Sequence, residues 1–191
     1  MRIGDIVYFS PNRKLIDLKW DDKDNLVAAF ADRVEGFYLT PARQLNDAKQ
    51  AFATGVICVT TIDFLAKIQT GEEVVWKRNK QWLEDNLPAF AEPDPQNPSK
   101  RTLAKRFYEE FRNGLVHEGR IKNAGQFSYD YPGLVEIRGP VMIVNPGILL
   151  AGISESFIRY MKNVSSDEFT FQSFRCALTS CFQADMEIVR K

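Results

Sequence analysis

Apolar residues recur at three- and four-residue steps along most of this chain, and that spacing gives a helix one continuous apolar face. The longest run begins at Thr40-Pro41, where Thr suits the N-cap and Pro the first helical position. It ends at Gly71, a residue type that often terminates helices. Its apolar positions are Leu45, Ala48, Phe52, Val56, Val59, Phe64 and Ile68. A run of this length predicts the central helix of a bundle.

The other segments predict further helices and a little β structure. Helical spacing begins near Asp24, and more helices are expected over Val74–Phe90, Ser99–Gly119, Pro146–Met161 and Asp167–Val189. β-Branched and aromatic residues predict a short strand over Ile3–Phe9 and a β-hairpin formed by Phe127–Tyr129 and Leu134–Val144. We therefore predict a mainly α fold, a helical bundle with a short N-terminal strand and a β-hairpin insertion.

The length of 191 residues fits one domain with an ample hydrophobic core, and we expect a single domain over residues 1–191. Residues 1–23 are predicted as a short β and turn appendage. Three prolines make residues 91–99 a loop.

The charges of the chain balance, because 25 Lys and Arg residues face 25 Asp and Glu residues. A formal net charge of zero excludes a protein that binds nucleic acid through bulk positive charge. One His and three Cys without CxxC spacing are too few for a structural zinc site, and there is no glycine-rich phosphate loop. We expect neither a metal nor another cofactor.

The apolar stretches predict neither secretion nor membrane insertion. The N-terminal stretch contains Asp5 and lacks the apolar run of a secretory signal. Polar residues interrupt the two most apolar windows, Ala51–Ile68 and Val141–Ile153, so no membrane span is expected. The cysteines are odd in number and are expected to be reduced and mostly buried: Cys58, Cys176 and Cys181. A cytoplasmic location follows from these observations.

Positive charge is concentrated in the segment Ser99–Lys122, which covers one predicted helix and its exit. Its seven basic residues are Lys100, Arg101, Lys105, Arg106, Arg112, Arg120 and Lys122. Its three acidic residues are Glu109, Glu110 and Glu118. A basic run on a helix is most often a solvated face, and the alternative is a surface that meets phosphate.

The only His of the chain lies in this segment, five residues after Arg112. At about 100° per residue, Arg112 and His117 lie about 140° apart around a helix and bracket one face. Asn113 lies four residues before His117 and shares its face. Glycine inside a helix costs about 1 kcal/mol relative to Ala. Gly114 therefore indicates either the close approach of another backbone or a helix that is near its end.

These residue types suit the cleavage of RNA through its own ribose 2′-OH, a reaction that requires no metal. His titrates near neutrality and exchanges protons with reacting groups. Arg offers a planar fork to a phosphate and to the charge that develops on it, and Asn orients the imidazole or holds a phosphate oxygen. The structural alternative is a His near a helix C-terminus, where its positive form complements the helix dipole.

The motif Arg112-Asn113-Gly114-Leu115-Val116-His117, late in an aromatic-rich helix, resembles the Arg-X(4–6)-His signature of the HEPN superfamily. The setting is similar as well, since a long helix precedes the motif and a hairpin leads into Asn145-Pro146 and further helices. The resemblance covers the region from Asp24 to the C-terminus. It implies a HEPN-like helical bundle and a metal-independent endoribonuclease that acts on RNA as a homodimer, with both motif helices in one composite cleft.

By residue, the resemblance makes His117 the general base or acid, Arg112 the clamp for the phosphate and the transition state, and Asn113 the polar residue after the arginine. A second His117 in the dimer supplies the role that one His cannot fill. Many members are toxins or antiviral-defence proteins, often beside an antitoxin, which adds an antitoxin to the partners considered. The subclass silenced by adenylylation has a tyrosine where this chain has Gly119, so that regulation is not expected.

Two other functions remain open from the sequence. The first is a catalytically silent HEPN-type module that binds RNA, a nucleotide or a protein partner, which the balanced total charge and the brevity of the motif favour. The second is an interaction or immunity protein in which the motif only completes a helix end.

Overall fold

The helices form where apolar residues recur at helical spacing, because each helix buries an apolar face. The computed structural model describes residues 1–189. Its helices are α1 (Lys23–Val34), α2 (Thr40–Asp47), α3 (Ala51–Thr70), α4 (Val75–Asn86), α5 (Leu103–Phe107), α6 (Asn113–Glu118), α7 (Pro146–Ser166) and α8 (Glu168–Val189). The predicted mainly α fold is confirmed.

Two small sheets accompany the helices. The first is antiparallel and contains β1 (Arg2–Ile3), β2 (Ile6–Ser10) and β3 (Arg13–Lys14), so the predicted N-terminal strand is divided at Gly4, where φ is 58°. The second has the order β4-β6-β5, with β4 (Gln126–Phe127), β5 (Val135–Arg138) and β6 (Val141–Val144). The hairpin is present with different strands, because β5 and β6 are its antiparallel partners while β4 pairs with β6 in parallel.

Helix α2 begins at Thr40 as predicted, but Thr40 is not an N-cap, because its own backbone is already helical and its N–H is bonded to the Glu35 carbonyl. The chain passes from α1 through a π-helical turn, Glu35–Leu39, directly into α2. Pro41 lacks an N–H and its ring crowds the preceding turn, and the wider π turn accommodates it. The run then breaks at Lys49, where φ is 58°, so the central helix is α3 alone. Its predicted end at Gly71 is confirmed, with φ of 65°.

The helix that carries the motif begins after Thr102 and not at Ser99. The chain before it is the predicted proline-rich loop, whose turns include a hydrogen bond from the Arg101 amide to the Asn97 carbonyl. An isolated β-bridge between Pro93 and Thr102 closes this loop, and the backbone of Thr102 itself is extended. The Thr102 hydroxyl then caps α5 by accepting the N–H of Lys105 at 3.4 Å.

The chain divides into two compact units. The terminal unit contains Met1–Pro41 and residues 157–189, and its core is aromatic, with the Phe30 and Phe174 ring centroids 5.0 Å apart. The central unit, Ala42–Ser156, buries apolar side chains of α3, α4 and α5. All three candidate site residues lie in the central unit.

Among the described residues, α3 is the one helix whose length and composition would allow it to span a membrane. Half of its most apolar window is buried inside the protein, and the core helix of a soluble protein has the same property.

Candidate active site

A row of buried aromatic rings holds the motif helix, which consists of α5, residues 108–112 and α6. The rings of Phe107 and Phe111 stack with their centroids 4.9 Å apart. Phe90 packs on the first at 5.0 Å and Phe127 on the second at 5.1 Å. The core stripe of this helix is its line of buried apolar positions, Leu103, Phe107, Phe111 and Gly114. The polar side chains of the motif therefore lie outside this buried stripe.

The centre of the motif helix is a π-helical turn, Tyr108–Arg112. Its wider turn pairs the N–H of Asn113 with the carbonyl of Tyr108, five residues earlier. Single π turns within α-helices are frequent at functional sites. The expected spacing assumed a regular helix and did not include this turn. Asn113 and His117 both lie in α6, where four residues place them on one face.

Gly114 is required because the chain reverses over it. Helix α6 ends at Glu118, and Gly119 adopts the left-handed conformation with φ of 67°. The returning backbone places the carbonyl oxygen of Arg120 where a Cβ on Gly114 would lie. Both explanations expected from the sequence therefore apply, since another backbone approaches closely and the helix is near its end.

The guanidinium of Arg112 is fixed in position by a carboxylate. Its Nε and Nη2 each lie 2.8 Å from Oδ2 of Asp63, and its Nη1 donates to Oδ1 of Asn113 at 3.4 Å. The side chain of Arg112 is 14% exposed, so it keeps access to solvent. The structure thus brings together two of the three predicted site residues, Arg112 and Asn113. It adds a carboxylate that pairs with the guanidinium and orients it.

Asp63 is the site residue that the sequence reasoning missed. It lies in α3, and its Oδ1 accepts a hydrogen bond from the amide of Asn79, which is buried in α4. A signal was present, because a single carboxylate within the most apolar helix of the chain requires a polar or cationic partner. The sequence does not say which of the cations is that partner.

His117 is exposed in the last turn of α6. Its side chain has no hydrogen bond or ion pair with the described residues, including Arg112 and Asn113. This position agrees with an imidazole that is free to meet a substrate. It agrees equally with the helix-end alternative, since a cation is favourable in the last turn.

The concentration of positive charge in Ser99–Lys122 is largely neutralised. Six of its seven basic side chains form ion pairs: Arg101, Lys105, Arg106, Arg112, Arg120 and Lys122. Two of the carboxylates involved, Asp63 and Asp94, come from outside the segment. The segment therefore presents less positive charge than a count along the chain suggests.

Arg106 is a basic residue of the same helix, but it does not join the site. It is fully buried, with its Nη1 3.1 Å from Asp94 and its Nε 2.9 Å from Glu110. Burial raises the pKa of Asp94, but hydrogen bonds from the Gln96 backbone and Arg101, together with the charge of Arg106, hold that pKa below its ordinary value. This cluster is structural, because it connects the proline-rich loop to the motif helix.

The carboxylates before α1 and the three cysteines have no part in the site. The carboxylate of Asp22 caps α1 by accepting the N–H of Asn25 at 3.0 Å, and Asp21 pairs with Arg175 at 3.0 Å. All three cysteines are free, but only Cys58 is buried, which corrects the expectation that most are. Burial raises the pKa of the Cys58 thiol to about 12.

Comparison of the chain with protein-family models, with curated proteins and with solved structures finds no match. The functional assignment therefore depends on the geometry of the site and on the resemblance of its motif.

Proposed function

We propose that this protein is a cytoplasmic, metal-independent endoribonuclease of HEPN type, in which Arg112, Asn113 and His117 act on one RNA phosphate. The observation that carries the proposal is the geometry of the guanidinium of Arg112. Asp63 fixes it, its Nη1 extends to Asn113, and the unpartnered imidazole of His117 follows one turn later. A fixed cation and a free titratable group are what phosphate cleavage without a metal requires.

In the proposed reaction, a ribose 2′-OH loses its proton to one His117 imidazole, and its oxygen forms a bond to the adjacent phosphorus. The bond from phosphorus to the 5′-oxygen of the next nucleotide breaks, and a second imidazole donates a proton to that oxygen. The products are a 2′,3′-cyclic phosphate and a 5′-hydroxyl. Arg112 stabilises the negative charge that develops on the nonbridging oxygens.

The second imidazole is proposed to be His117 of the partner subunit in a homodimer, because the chain contains one His. Val116 and His117 are both exposed at the end of α6, which leaves this end accessible to a second copy. RNA and a second copy are thus the proposed partners. The resemblance adds an antitoxin, as expected of a toxin or defence protein.

Cleavage of an RNA oligonucleotide in the presence of EDTA tests the proposal. The wild type should leave a 2′,3′-cyclic phosphate, identified by the mass of the product. His117→Ala should lower the rate by about 10²- to 10⁴-fold, because it removes the proton acceptor. Its urea unfolding midpoint should stay unchanged, since the imidazole is exposed and unpartnered.

Lys100→Ala is the matched control, because Lys100 is an exposed basic residue of the same segment and no ion pair involves it among the described residues. This variant should cleave RNA at the wild-type rate. Cleavage by folded His117→Ala at the wild-type rate would contradict the mechanism.

The extensive ion pairing of the segment favours a second candidate, the catalytically silent HEPN-type module. In that case Asp63 simply neutralises Arg112, and the exposed end of α6 binds a protein partner. An absence of cleavage by the wild type, together with RNA binding that depends only weakly on salt, would support this second function.

A further inference from the structure

Aromatic rings and cations alternate along a surface of the central unit that leads to Arg112. The Nζ of Lys105 lies 4.0 Å from the ring centroid of Trp76 and 5.5 Å from that of Tyr108. The Cζ of Arg112 lies 5.7 Å from the Tyr108 centroid. We call these four residues the ring–cation surface. Three of them belong to the motif helix at spacings of three and four residues, which places them on one face.

Trp76, the fourth member, comes from the first turn of α4 and is 38% exposed. The other tryptophan of that helix, Trp82, is buried, and its Nε1 donates to the Gln69 side chain at 2.9 Å. Helix α4 therefore uses one indole in the core and leaves the other accessible. An accessible indole beside cations is the arrangement on which proteins stack the bases of nucleic acids.

The contact between Lys105 and Trp76 does not prevent a base from reaching the ring. Exposed cation–π pairs are weak in comparison with base stacking. Lys105 also pairs with Glu109 at 3.5 Å, so its ammonium keeps a partner when a base takes its place over the ring. In that position it remains close to the phosphate of the stacked nucleotide.

Attraction between phosphate and these cations would not be enough for RNA to bind at this surface. Its cations Lys105 and Arg112 are each paired with a carboxylate, Glu109 and Asp63 respectively. Affinity must then come largely from stacking, which every base offers when it is unpaired. The bases of an RNA duplex are stacked on one another, and proteins recognise duplexes through shape and backbone instead.

We infer that the ring–cation surface is a base-stacking subsite of the proposed active site, with one unpaired RNA base stacked on Trp76 and the phosphate chain passing Lys105 and Tyr108 to reach Arg112. The inference rests on the proposed function, because it adds a binding subsite to the same site.

Binding measured in the His117→Ala background tests it, since the RNA then stays intact. Fluorescence anisotropy of a labelled single strand should show binding about 5- to 150-fold weaker for Trp76→Ala, and nearly full affinity for Trp76→Phe. The duplex form of the same RNA should bind more weakly than the single strand. Single-stranded RNA should also quench indole emission, and this quenching should be lost in Trp76→Phe, a substitution that preserves an aromatic ring.

Phe169→Ala is the matched control, because it removes an aromatic side chain that is 81% exposed in the terminal unit. Its affinity for the single strand should equal that of the starting protein. Equal affinity of Trp76→Ala and the starting protein, or tighter binding of the duplex, would overturn the inference.

Failure of the proposed function gives a different result. If the wild type does not cleave RNA but Trp76→Ala still weakens the binding of single strands, the protein binds RNA at this surface without being a nuclease. If the wild type cleaves RNA and Trp76→Ala has an unchanged KM, the proposed nuclease activity is supported and the ring–cation surface has no part in binding RNA.

Discussion

Two arginines on the motif helix have opposite surroundings. Arg106 has no exposed surface, and its guanidinium is shared between the carboxylates of Asp94 and Glu110. Arg112 lies on the next part of the same helix, is 14% exposed and pairs with one carboxylate, Asp63. Composition counts both residues equally as positive charge, but only the second is accessible to an anion from solution.

The comparison shows why a local excess of basic residues is a poor guide to a phosphate site. A buried charge is costly unless it is paired and hydrogen-bonded, so Arg106 is committed to its two carboxylates. A partly exposed arginine with one carboxylate is oriented without being enclosed. An arginine that binds a phosphate must be held in one orientation and must also be accessible from solution.

Loss of Arg106 should have the largest effect on stability. Arg106→Ala leaves Glu110 as a buried carboxylate without a cation and leaves Asp94 with Arg101 alone, and we expect the free energy of unfolding to fall by about 3–5 kcal/mol. Urea unfolding followed by circular dichroism measures this change. Arg120→Ala is the control, because Arg120 pairs with Glu118 at the surface and should leave the unfolding midpoint unchanged. Equal losses in the two variants would contradict the assignment of Arg106 as structural.

Loss of the carboxylate of Asp63 should have a smaller effect, seen in catalysis. Asp63→Asn keeps the size of the side chain but releases the guanidinium of Arg112 from its anchor. If Asp63 positions Arg112, the rate of RNA cleavage falls by about tenfold, because the clamp loses its orientation. A higher rate would instead show that Asp63 competes with the phosphate. Glu118→Gln, which removes a carboxylate from the same segment, should cleave at the wild-type rate.

The smallest expected effect is a loss of stability in acid. The pKa of Asp94 in the folded state lies below the value of 3.8 for an unperturbed Asp. Its contribution to stability is therefore complete above about pH 4 and is lost as the pH falls through the lowered pKa of the folded state. Urea midpoints between pH 5 and pH 2 should decline less steeply in Asp94→Asn than in the wild type. Equally steep declines would exclude a role for this carboxylate.

The helices and the core stripe of the motif helix could be predicted because the apolar spacing that defines them is local. The same is true of Gly71 as a helix end and of Gly114 as a point of close approach. The π-helical turn Tyr108–Arg112 could not be predicted, because no residue type marks it. The start of the motif helix at Thr102 depends on a bridge to Pro93, which helical spacing does not contain.

The ion pairs could not be predicted because they join residues that are distant along the chain. Asp63 lies 49 residues before Arg112, and Asp94 reaches Arg106 from the proline-rich loop. The excess of positive charge in Ser99–Lys122 counts only residues of that segment. Folding brings carboxylates from other parts of the chain next to its basic side chains, and the count omits them. The roles of Arg112, Asn113 and His117 in cleaving RNA remain predictions.

Chemical rescue of Arg112→Ala tests the central claim most directly. The variant should cleave RNA in EDTA at least about 100-fold more slowly than the wild type, because the charge on the phosphate loses its fixed cation. Millimolar guanidinium should restore part of this rate, whereas the same concentration of methylammonium should not, since it lacks the planar fork. Cleavage by Arg112→Ala at the wild-type rate, with the fold intact, would contradict the account.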